Sequence, residues 1–127
     1  KSMAMSTSGP AASRNAAKCE ELASSLRERG LKAHGAALDL KSDASIRALV
    51  DETLAQYGRI DILVNNCGIG KGDAKVVDIS MEAWKNILDV NLTGMLLTCK
   101  YVIPEMEKRE SGSIINISSA GAICAST

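Results

Sequence analysis

The sequence has no excess of charge of either sign, a single histidine, no closely spaced cysteine pair and no long apolar run. Fifteen Lys and Arg balance fifteen Asp and Glu across 127 residues, with no basic cluster. That balance argues against a nucleic-acid or membrane-surface footprint and leaves a small molecule, or another copy, as the expected partner. Cys19, Cys67, Cys99 and Cys124 include no C-x-x-C pair, and only His34 could join them. A zinc site is therefore not expected, nor any other metal centre, and the four thiols read as reduced cysteines of a cytoplasmic protein. The longest apolar runs are about five residues, far too short for a membrane span. The opening KSMAMSTSGP also lacks the apolar core of a signal peptide. Without secretion, Asn91-Leu92-Thr93 and Asn116-Ile117-Ser118 read as chance matches to the glycosylation pattern. There is no G-x-S-x-G and no histidine near a candidate serine, which argues against a hydrolase triad.

What is present suits one domain or part of one. Residues 1–12, rich in Ser, Ala and Met, show no periodicity and match no regular element. Cys19, Leu22, Ala23 and Leu26 then fall on one helical face over 15–29, with Asn15 as N-cap and Gly30 as the stop. A short apolar run spans 33–38. Ile46, Leu49, Val50, Leu54 and Tyr57 mark a second helix, entered through Ser42 or Asp43 and closed by Gly58. Residues 60–64 predict a strand buried on both faces. A long helix follows from Ser80 to about Lys108, with Pro104 expected to bend its last turns. Ser113 to Ser118 predicts a final strand. Short apolar strands alternating with helices indicate an α/β fold with a doubly wound parallel sheet.

In such a sheet, ligands bind beyond the carboxyl ends of the strands. Two loops qualify: Asn65-Asn66-Cys67-Gly68, where glycine permits close approach of a planar ligand, and the Ser118-Ser119 pair. Each has a plain alternative, a polar turn in the first case and turn-capping serines in the second. Asn91 falls on the apolar stripe of the long helix, four residues from both Ile87 and Met95. Its amide must find partners there, either as a satisfied structural group or as a site residue.

The segments DILVNNCGI, DVNLTG and GSIINISSAGA, in this order and at these separations, together resemble the short-chain dehydrogenase/reductase family, over roughly residues 13–127. The resemblance implies a Rossmann-type fold and a nicotinamide-dependent oxidoreductase acting on a carbonyl or alcohol substrate. It assigns Asn65, Cys67 and Gly68 to the cofactor, Cys67 standing where alanine is usual. It also places Asp39 and Leu40 beside the adenine and Ser13 and Arg14 at the end of the second strand. An arginine there, without a neighbouring acid, suits a 2′-phosphate, so NADP(H) is favoured over NAD(H). Asn91 matches the residue that holds a water in a proton relay, and Ser119 the serine that hydrogen-bonds the substrate oxygen. The resemblance further implies a homodimer or homotetramer assembled through the long helix.

Two of the family's motifs are not found in the sequence. Neither Tyr57 nor Tyr101 has lysine at the fourth following position, so no Tyr-x-x-x-Lys is present, and no glycine-rich turn precedes Arg14. These departures fit a part of a longer enzyme; the alternative is a non-catalytic Rossmann-like binding or scaffold protein.

Overall fold

Local signals set most element boundaries in the computed structural model, which describes residues 8–119. The chain divides into two compact units at Ile60/Asp61.

In the first unit, β1 (Ser8–Ser13) leads through Arg14 to α1 (Ala16–Glu28), β2 (Lys32–Ala37) and α2 (Asp43–Tyr57). The caps are as expected. The Asn15 side chain accepts the Lys18 N–H at 3.0 Å, Ser42 accepts the Ser45 N–H at 3.2 Å, and Gly58 ends α2 at φ 75°. β1 corrects the expectation of no regular element for residues 8–12, while residues 1–7 lie outside the described residues. SGPAAS carries no β-branched or aromatic residue, and its strand conformation comes from parallel pairing with β2, Ser8 opposite Lys32 through Ser13 opposite Ala37. The Ser13 carbonyl accepts the Leu38 N–H at 2.9 Å, so odd-numbered residues of β1 face β2. Pro10 faces away, and its missing N–H costs that ladder nothing.

The same alternation turns the Ala33 carbonyl and the Gly35 N–H of β2 outward, away from β1. Side chains of α1 meet both. Glu20 accepts the Gly35 N–H at 2.8 Å, and Arg27 donates to the Ala33 carbonyl at 2.8 Å while pairing with Glu20. Arg27, with help from the Gly35 N–H, holds the Glu20 carboxyl below its ordinary value. The helix can lie this close because position 35 is glycine: a Cβ there would stand 2.7 Å from the Cys19 carbonyl carbon and against the Glu20 backbone. Cys19, Ala23, Ala36, Leu38, Ile46 and Val50 form the buried apolar core of this unit. At its rim, His34 stacks on Tyr57 with its Nδ1 2.9 Å from the phenol oxygen, while Nε2 lies 3.5 Å from Glu52 without a hydrogen bond. Burial pushes the Tyr57 phenol above its ordinary value.

In the second unit, β3 (Ile62–Asn65) pairs in parallel with β4 (Ser113–Asn116), Ile62 opposite Ser113 and Asn65 opposite Asn116. Between them run α3 (Met81–Leu88), a π-helical turn (Asp89–Thr93) and α4 (Gly94–Glu107). The long helix expected over 81–108 is one continuous helical segment to Glu107, but with a π turn at Asp89–Thr93 in place of uniform α-helix, and α4 continues through Pro104. Gly94, Thr98, Val102 and Met106, each four residues apart, form the buried row of α4. Met106 packs on Gly112, where an added Cβ would lie 2.8 Å from the Met106 Cβ. β3 is not buried on both faces: Leu63 and Asn65 are half-buried, whereas Ile62 and Val64 are 58% and 55% exposed among the described residues. The order within each unit is that of parallel strands joined by helices, in agreement with the α/β expectation.

Candidate functional site

The expected site residues of the first unit gather at the carboxyl ends of β1 and β2. The backbone bond from Leu38 to Ser13 joins these two strand ends. The Ser13 hydroxyl accepts the Asn15 N–H at 3.1 Å and lies 3.0 Å from the Cys19 sulfur, so it closes the turn into α1. Arg14, one residue on, is exposed, and its guanidinium has no partner among the described residues. It stands beside the first turn of α1, whose leading N–H groups favour an anion. Asp39 is exposed and spends one carboxylate oxygen on the Lys41 N–H at 3.0 Å, while its own N–H donates to Ser45. Leu40 beside it is half-buried. The pair thus forms a firm turn with one apolar and one acidic side chain.

In the second unit, β3 and β4 end side by side. Asn65 closes β3, and both ends of its amide are engaged: Oδ1 lies 2.8 Å from the Thr98 hydroxyl, and Nδ2 donates to Asn116 Oδ1 at 2.9 Å. Its side chain is therefore a bracket of the fold. Asn66, Cys67 and Gly68 follow, all exposed. Ile69 is then tied back to the π turn, its N–H donating to Asn91 Oδ1 at 2.8 Å and its carbonyl accepting from Asn91 Nδ2 at 2.9 Å. The polar amide on an apolar helix face thus has its partners. Each amide atom of Asn91 retains one further hydrogen-bonding position, since oxygen has a second lone pair and nitrogen a second proton. A Cβ on Gly68 would sit 3.7 Å from Asn91 Oδ1, so Gly68 and Asn91 lie against one another. Ser119 follows β4 by three residues and is exposed.

The second unit thus brings Asn65, Gly68 and Asn91 together around one short loop. Cys67 is an exposed free thiol; Cys19 and Cys99 are free as well, and Cys124 lies outside the described residues. Sequence reasoning missed Thr98 and Asn116. The signal for Asn116 was available, because LVN and IIN end two apolar strands with the same amide. For Thr98 no local signal exists.

In the first unit an unpartnered guanidinium, among the described residues, lies beside a helix N-terminus; in the second the exposed Gly68 is backed by the fixed amide of Asn91. No helix among the described residues is long and apolar enough to cross a membrane.

Residues 4–126 match the short chain dehydrogenase family. A curated relative, cis-4-hydroxycyclohexanecarboxylate dehydrogenase of Sinomonas cyclohexanicum, is 33% identical over 79% of this chain and 40% of its own length. The crystal structure of a gluconate 5-dehydrogenase from Burkholderia cenocepacia, in complex with NADP and tartrate, superposes with a TM-score of 0.82 at 36% identity, covering 91% of this chain and 45% of that one. That of an NAD+-bound xylitol dehydrogenase gives 0.85 at 28% identity, over 91% and 44% respectively. The chain thus spans less than half of the length of these proteins. By motif, topology and match across nearly its whole length, the chain belongs to the short-chain dehydrogenase family.

Proposed function

We propose that the protein carrying this chain is an NADP(H)-dependent oxidoreductase that interconverts a carbonyl and an alcohol on a small molecule, with residues 13–127 as the central part of a single Rossmann-type domain. The observation that carries the reading is the two-way bond between the Asn91 amide and Ile69, set directly behind Gly68. It fixes a polar group that keeps hydrogen-bonding capacity beside a surface open to a flat ring.

When bound, the nicotinamide cofactor supplies or takes up hydride. The residues of this chain do the rest by position. Arg14 gives the 2′-phosphate a charge-assisted partner, and Ser13 fixes the turn from which Arg14 projects. Asp39 and Leu40 hold the adenine, and Cys67 and Gly68 line the ribose side, carried by Asn65. The Ser119 hydroxyl donates to the substrate oxygen as negative charge develops there. The free positions of the Asn91 amide hold a water through which a proton reaches the general acid, a tyrosine paired with lysine in the family pattern.

Arg14 is the basis for favouring NADP(H) over NAD(H). The apolar surface of α3 and α4, with Met81 74% and Leu96 65% exposed, supports a homodimer or homotetramer. The free thiols of Cys19, Cys67 and Cys99, among the described residues, support a cytoplasmic location.

The test is NADPH oxidation with a panel of ketones, using the full-length gene product. Turnover with a preference for NADPH is expected. Binding of NADPH without turnover of any carbonyl or alcohol would identify a binding protein instead, and the absence of binding would remove the reading altogether.

A further inference from the structure

The loop 66–69 hangs between two points, and one continuous helical segment holds both. At its far end Ile69 is tied to Asn91 in the π turn. At its near end Asn65 is gripped by Thr98, on the buried row of α4. Thr98 is 7% exposed, and its hydroxyl lies 2.8 Å from Asn65 Oδ1 and 2.8 Å from the Met95 carbonyl. One proton cannot fully serve both acceptors. With both amides turned over, Asn65 donates to Thr98, Thr98 donates to Met95, and Asn116 donates to Asn65, so every link survives. The hydroxyl is a partner of Asn65 in either arrangement.

Packing alone does not require it. The rest of the row is Gly94, Val102 and Met106, and valine has the shape of threonine without the buried polar atom. The hydroxyl instead reaches both strand exits. Asn65 ends β3 and bonds Asn116, the last residue of β4, while the Ile117 N–H donates to the Asn65 carbonyl at 2.9 Å. One exit leads to Cys67 and Gly68, the other to Ser118 and Ser119.

We infer that Thr98 is a positioning residue: its hydroxyl, acting through Asn65 and Asn116, sets the spacing between the loop that lines the cofactor and the exit that carries the substrate-binding serine. The inference rests on the cofactor reading given above. It differs from a stability role in what it predicts, since a side chain that only supports the fold would change the melting temperature and leave dinucleotide affinity alone.

The experiment is a fluorescence titration of the full-length protein with NADPH, alongside its thermal unfolding. Thr98→Val is expected to raise the Kd about tenfold, the loss of roughly one buried hydrogen bond, and Thr98→Ser to restore it to within about twofold on the same scale. Asn116→Ala cuts the far link at an exposed position where folding is not at risk, and a rise of about fivefold is expected. The inference is overturned if Thr98→Val, or, where that variant does not fold, Asn116→Ala, binds NADPH as the wild type does. It is overturned equally if Thr98→Ser is as weak as Thr98→Val, which would assign the effect to the methyl group. Wild-type protein that binds neither NADPH nor NADH marks failure of the cofactor reading itself, a result distinct from wild-type binding that the variants leave unchanged.

Discussion

Glu20 reaches from α1 around the outer edge of β2, where its carboxylate accepts the Gly35 N–H at 2.8 Å and pairs with Arg27. The outward backbone groups of a strand are a template for another strand, and here two of them are occupied by a charged pair. Glu20→Ala is expected to promote self-association, read as a rise in light scattering with protein concentration. Its contribution also has a sign in pH. The folded-state pKa is depressed below the ordinary 4.5, so the stabilisation is present above that value and lost as pH falls through the folded pKa. The acid side of a urea-midpoint profile should be flatter in Glu20→Gln than in the parent; identical profiles would count against the clamp.

Gly35 makes room for that helix. Gly35→Ala places a methyl against the Cys19 and Glu20 backbone, which no side-chain rotation relieves. A loss of about 1–3 kcal/mol is expected from the forced shift, measured by urea unfolding. Gly9, whose Cβ would meet nothing within 4 Å, is the control: alanine there should be close to neutral.

Arg14 projects from the end of β1 without a partner among the described residues. Arg14→Ala should raise the Kd for NADPH by about ten- to a hundredfold, the range for a lost charge-assisted contact, and leave that for NADH nearly unchanged. Equal weakening of both would show that Arg14 does not read the 2′-phosphate.

Asn91 donates to and accepts from the same residue, so its replacements are not equivalent. Asn91→Ala leaves the Ile69 N–H and carbonyl unpaired, at a cost of about 1–3 kcal/mol. Asn91→Asp keeps the acceptor but sets a carboxylate oxygen against the Ile69 carbonyl. It should be at least as unstable above the carboxyl pKa and recover as the group protonates at low pH. Thermal unfolding of the two variants across pH checks the ordering.

The features legible in the sequence were those with local causes. Asn15, Ser42 and Ser80 announce helix starts because each side chain caps an N–H three residues on, and Gly58 announces a stop through its left-handed backbone. β1 was illegible because Ser, Gly, Pro and Ala carry no strand preference, and its pairing partner lies across a helix. The site was half legible. Asn91 stood out as an amide on an apolar stripe, whereas its partner is a backbone group 22 residues away. The Asn65–Asn116 link spans 51 residues, and the hydroxyl beneath it belongs to a helix read only for its apolar period.

That period concealed one more thing. A π turn holds one residue more than the α-helical turn it replaces, and one residue advances a helix by about 100°. Asp89–Thr93 therefore acts as a phase shifter: the faces of α3 and α4 are offset as though a residue had been inserted between two segments of a uniform helix. Removing a single residue from this stretch would leave the composition almost unchanged, yet it would rotate Trp84 and Met81 away from their present directions relative to α4. It would also take Asn91 off its line to Ile69. In this chain the reading frame of a helix decides which side chain meets Ile69.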